Sequence, residues 1–173
     1  MKLSETYLHI LYFYTNSNIL TRPVEYTDDI FMKAALIEAG TGLEEGEVPV
    51  GAVVVCNNRI IARAHNLVET LNDPTAHAEM QAITSASSFL GGKYLDKCSL
   101  YVTLEPCTMC AGALFWSRIG RLVYGTADEK RGYTLNQNRV LHKKTKVVKG
   151  IMEEECRNII IDFFKNKRQD LTD

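Results

Sequence analysis

Apolar residues recur along this chain with two periods, one helical and one extended. Ile30, Phe31, Ala34, Ala35, Leu36 and Ala39 fall at helical spacing behind a capping Thr27 or Asp28, and Gly40 and Gly42 are expected to end that helix. VPVGAVVVC (48–56) is a β-branched run, Asn57-Asn58 marks a turn, and RIIARAH (59–65) completes a hairpin. AHAEMQAITSASSFL (76–90) predicts a helix opened by Asp73-Pro74-Thr75 and closed by Gly91-Gly92. A strand at 99–104, a helix at 108–119, a strand at 121–125 and a fifth strand near 145–149 follow. An amphipathic helix over 153–168 comes last. Strands alternating with helices predict an α/β layered sandwich.

Length and composition change this picture little. The 173 residues, 46% of them hydrophobic, suit one domain over 27–173 behind an extension at 1–26. The apolar stretch LHILYFY (8–14) is too short to span a bilayer and has no small-residue cleavage site behind it. It reads as a tail or docking strand, with no membrane association expected. Five cysteines, an odd number without a preceding secretory signal, argue against a disulfide framework. A reducing, cytoplasmic setting is expected.

Charge is unevenly spread. Residues 1–55 carry three Lys/Arg against eight Asp/Glu, whereas 118–149 carry nine Lys/Arg against only Asp128 and Glu129. Such asymmetry suits either a solvated face or a surface for a polyanion.

Candidate chemistry begins at TLEPCTMCAG (103–112). Cys107 and Cys110 form a C-x-x-C, a spacing shared by redox pairs, structural zinc knots and catalytic metal sites. A structural knot needs a second C-x-x-C, which the chain lacks. The redox reading leaves Glu105-Pro106, and the DPTAHAE stretch at 73–79, unexplained. Two helices that open on the same side of one sheet would bring His77 to Cys107 and Cys110. Three zinc ligands would then leave a fourth position for water, the mark of a catalytic site. Glu79, two residues beyond the histidine, would face that water.

These residues carry a resemblance. H-A-E at 77–79 with P-C-T-M-C at 106–110 resembles the signature of the zinc nucleobase deaminases. EVPVGAVVV (47–55), DPTAHAE (73–79), LYVTLEPCTMCAGA (100–113), SRIGRLVYG (117–125) and DFFKNKR (162–168) are similar to blocks of the bacterial tRNA-specific adenosine deaminases. That resemblance implies a cytidine deaminase-like fold, a three-layer α/β/α sandwich around a five-stranded mixed sheet, working as a homodimer with one Zn²⁺ per chain. It implies conversion of the anticodon wobble adenosine to inosine with loss of ammonia, Glu79 moving the protons. A small-molecule deaminase acting on guanine or cytosine is the alternative. Asn66 is expected to bind the nucleoside, with Val50 and Ala78 lining the base pocket. Asp128, Phe164, Lys167 and Arg168 are the further substrate contacts expected. The chain departs from the family at residues 1–26, at His65, at Ala127 and in the missing Gly/Ser-rich stretch after Asp128. A base inside a duplex is out of reach, so the expected partner is a tRNA anticodon loop, held by the basic stretch 139–149 and by the last helix.

Overall fold

One mixed sheet organises the chain. Its strands are β1 (Gly51–Cys56), β2 (Arg59–His65), β3 (Cys98–Leu104), β4 (Arg121–Thr126) and β5 (Lys146–Lys149), in the spatial order β2-β1-β3-β4-β5. β1 is antiparallel to β2 and β3, whereas β3, β4 and β5 run parallel. The helices are α1 (Asp28–Glu44), a short α2 (Val68–Leu71), α3 (Ala78–Leu90), α4 (Thr108–Trp116) and α5 (Glu153–Gln169). This computed structural model describes residues 26–136 and 140–169. The predicted docking strand at 8–14, and the 1–26 extension except Tyr26, lie outside those residues.

The strand alternation sorts side chains into two cores. Ala52, Val54, Leu100, Val102 and Leu122 pack under Ala78, Ala82 and Ala86 of α3 and Ala111 and Leu114 of α4. Val53, Val55, Tyr101 and Val123 point the other way, onto Phe31, Met32 and Ala35 of α1 and Cys156 of α5. The result is the expected three-layer α/β/α sandwich. Each fully buried leucine or valine contributes about 1.5–3 kcal/mol. The small alanines of α3 let that helix lie close to the sheet.

Asn57 and Asn58 both have positive φ, 50° and 57°, as a two-residue hairpin turn requires. The expected helix stop at Gly40 and Gly42 is not observed: α1 runs on to Glu44. Gly42 is buried there, with His65 close beside it. The stop comes from Gly46, whose φ of +81° no other residue adopts cheaply. Thr27 sits at the N-cap without a side-chain cap bond. Asp28 turns instead to the sheet, where Arg121 donates to both of its oxygens at 2.7 and 2.6 Å and Tyr101 Oη donates at 2.8 Å. α4 ends at Trp116, short of the predicted 119, because Arg118 takes a left-handed φ of 54°.

Candidate active site

Helix α3 begins at Ala78 with His77 at its N-cap, and α4 begins at Thr108 with Cys107 at its N-cap. α4 continues β3, and α3 packs beside it on the same face of the sheet. The two helix starts therefore meet. Cys107 Sγ lies 3.7 Å and Cys110 Sγ 3.5 Å from His77 Nδ1. All three donor atoms fall within 4.8 Å of one another, and the set could hold a metal ion.

Proton sharing within the group is pronounced. The hydrogen bond from Cys110, joined by that of His77, holds the Cys107 thiol down at about 4 despite burial. Cys110, hydrogen-bonded to Cys107 and buried, is pushed up. Hydrogen bonding to Cys107 raises His77 against the effect of burial. One thiolate is thus ready for an ion, and binding would displace the proton on the other.

Glu79 is the second residue of α3, in its first turn, and is 4% exposed. Burial pushes its carboxyl up to about 7. A carboxyl poised there can both take and give a proton at neutral pH.

The flanking backbone brings in Asn66, Val50 and Ala78, whereas Phe164, Lys167 and Arg168 lie on α5, which packs on the opposite face of the sheet with α1. Leu67 N–H donates to Ala76 O at 2.9 Å, and Asn66 N–H to Val50 O at 3.1 Å, so Asn66, Val50 and the His77 turn share one wall. Ala78 is buried in the same cluster as Val50. Asp128 lies in the loop behind Cys107, where its Oδ1 accepts the N–H groups of Lys130 (2.9 Å) and Arg131 (3.0 Å). Its carboxylate shapes the loop. On α5, Lys167 lies over the ring of Phe163 at 5.6 Å and, with Phe163 and Asn166, lines a cleft of about 310 Å³ closed by Leu43 and Gly46. Phe164 is exposed against the edge of Phe163, and Arg168 is exposed near the helix end.

Two buried carboxylates were not singled out by sequence reasoning as site residues. Glu47 accepts Asn66 Nδ2 at 3.0 Å and the N–H groups of Glu69 and Thr70, which explains the short α2. Glu105 accepts the N–H groups of Asp128 (3.2 Å) and Thr134 (3.0 Å) and so frames the loop that pairs Gly132 with Cys107. No periodicity marks either one, although Glu105 directly precedes Pro106 and Glu47 stands two residues before Pro49. Of the nine Lys/Arg counted over 118–149, Arg121 is matched by Asp28.

Comparison with known proteins points the same way. A family model described as MafB19-like deaminase matches residues 26–168. A tRNA-specific adenosine deaminase of Bacillus subtilis (strain 168) is 46% identical over 147 residues, 82% of this chain and 91% of its own. A structure solved in biochemical and structural studies of A-to-I editing by tRNA:A34 deaminases superposes with a TM-score of 0.71 at 44% identity, covering 75% of this chain and 98% of that one. The X-ray structure of guanine deaminase from Bacillus subtilis matches at 44% identity and a TM-score of 0.56, over 58% of this chain and 65% of that one.

Proposed function

The chain belongs to the MafB19-like deaminase family, and from that premise we infer that it is a hydrolytic deaminase converting the wobble adenosine of a tRNA anticodon to inosine. The observation that carries this is the convergence of His77, Cys107 and Cys110 with buried Glu79 beside them.

The donor spacing fits zinc. Zn–N of about 2.05 Å and Zn–S of about 2.3 Å at tetrahedral angles separate N from S by ~3.6 Å, against 3.5 and 3.7 Å here. His77 Nδ1 and the two Sγ atoms would hold one Zn²⁺ per chain. When bound, the ion supplies a Lewis acid that brings water within reach of deprotonation near pH 7.

The residues of the chain do the rest. Asn66 and the wall of Val50 and Ala78 orient the nucleoside so that adenine C6 faces Glu79. Glu79 accepts a proton from the attacking water and delivers it to adenine N1, which makes C6 electrophilic. The water oxygen bonds to C6. Glu79 then carries the second water proton to the exocyclic amine, the C6–N bond breaks, and ammonia leaves. Helix starts at both α3 and α4 favour the negative charge that develops on oxygen.

Exposed Lys143, Lys144 and Lys146, with Lys167 and Arg168 on α5, are the residues assigned to the tRNA backbone, and Phe164 to stacking on a splayed base. A homodimer is proposed through α4, where Trp116 is 78% exposed and Phe115 lies at its ring edge. Sedimentation at twice the chain mass checks it. No described helix is long and apolar enough to cross a membrane, and a cytoplasmic site of action goes with a tRNA substrate. Residues 1–26 are assigned to an extension outside the deaminase domain.

The guanine deaminase match makes a free base the rival substrate. Ammonia release from an anticodon stem-loop, measured beside release from free guanine, adenine and cytosine, separates the two. RNA turnover with affinity falling steeply in salt is expected, and each lysine changed to alanine should flatten the slope by roughly 0.7. Brisk guanine turnover with salt-indifferent RNA binding would replace the tRNA reading.

A further inference from the structure

β1 ends and β3 begins on a pair of thiols that deamination does not use. Cys56 and Cys98 are register partners across the antiparallel ladder. Gly51 N–H points to β3, donating to Thr103 Oγ1 at 3.2 Å. Strand alternation then turns the backbone groups of Val53 and Val55 toward β3, and those of Ala52, Val54 and Cys56 toward β2. Cys98 N–H agrees with this, because it leaves the ladder for Leu95 O at 2.9 Å. The two cysteines are therefore a non-hydrogen-bonded pair, the kind whose Cα atoms approach to about 4.5 Å and whose side chains lie closest. A disulfide spans Cα separations of about 4.4–6.8 Å. Both thiols belong to the apolar cluster under α3 and α4, Cys98 buried and Cys56 partly open to solvent.

We propose that Cys56 and Cys98 are a dithiol modification site that closes to a cross-strand disulfide with a low-molecular-weight disulfide as oxidant. The Cys56 thiolate attacks one sulfur of the oxidant, forming a mixed disulfide and releasing one small thiolate. Cys98 then loses its proton to solvent and attacks the Cys56 sulfur, expelling the second small thiol. Two protein thiols are oxidised and one small disulfide is reduced to two thiols. Burial, together with the neighbouring Cys56, pushes the Cys98 thiol up to about 12. The second step is accordingly the slow one, faster at alkaline pH. The closed loop contains β2, α2 and α3, and with them His77 and Glu79. Oxidation therefore restricts the unfolded chain around the site without consuming a metal ligand.

The test incubates the purified full-length chain, kept with zinc, in oxidised glutathione, followed by alkylation, unreduced digestion and mass spectrometry. Expected is a peptide pair joined through Cys56 and Cys98 and lighter by two hydrogens, with a melting temperature raised by several degrees until dithiothreitol is added. Cys56→Ser and Cys98→Ala should each abolish the link and the shift while deaminating at the normal rate. Glutathione left on Cys56 without a 56–98 link, or a Cys107–Cys110 link formed in preference, overturns the proposal.

Discussion

Glu47 holds the side-chain amide of Asn66 by its nitrogen, at 3.0 Å, from a position with no solvent exposure. Burial works to raise the Glu47 carboxyl, but the N–H groups of Thr70 and Glu69 and the Asn66 amide outweigh it and hold it below the usual range. A fixed anion facing Asn66 Nδ2 settles which way the amide points and leaves Oδ1 for the substrate donor that the proposed function assigns to it.

Glu47→Gln removes that anion at constant size. Its kcat/KM is expected to fall by about tenfold, the scale of one misaligned hydrogen bond. In an Asn66→Ala background the same change should cost nearly nothing further. Equal losses in both backgrounds would mean that Glu47 acts through the fold and not through Asn66.

His77→Ala takes one donor from the group that joins α3 to α4. Zinc content by mass spectrometry and deamination should both be lost. Melting temperature should fall as well, since metal binding free energy is folding free energy. A variant that keeps its metal and its turnover would refute the ligand set.

Glu79→Gln keeps the size of the side chain and removes the carboxyl proposed to carry the protons. Zinc content should stay at the wild-type level while turnover drops by about a hundredfold or more. Loss of zinc instead would make Glu79 a ligand.

Asp28 gives a pH prediction that lies away from the metal. Its hydrogen bonds with Arg121 hold its carboxyl below the usual carboxylate range. A depressed carboxylate adds stability that is present above the unfolded value and lost as pH falls through the folded one. Asp28→Asn should therefore cost about 1–2 kcal/mol at pH 7. The gap between variant and wild type should close in thermal melts below about pH 4.

The meeting of His77, Cys107 and Cys110 was legible in the sequence because their residue types are rare together and all three stand in or before the first turn of a helix. The hairpin was legible because Asn57-Asn58 can supply two positive φ angles. What escaped was held by backbone. Glu47 and Glu105 are recognised by N–H groups 22–29 residues further on, and an amide nitrogen carries no residue type for a pattern to find. Gly42 escaped for a related reason: its role is the room it leaves for His65, a contact made only after folding. The charge count over 118–149 misled slightly because Arg121, counted as basic surface, is spent on Asp28.

Glu105 has a consequence for engineering. A Cβ on Gly132 would come within 2.5 Å of its carboxylate, so that position is closed to every side chain. The rest of the loop is framed by main-chain bonds, which do not depend on what Glu129, Lys130 or Arg131 carry. Those three exposed positions can be randomised in a library to any residue but proline, which would remove the N–H groups at 130 and 131 that Asp128 accepts. A screen for altered nucleobase preference can thus vary the loop beside Cys107 while His77, Cys107 and Cys110 themselves stay unchanged.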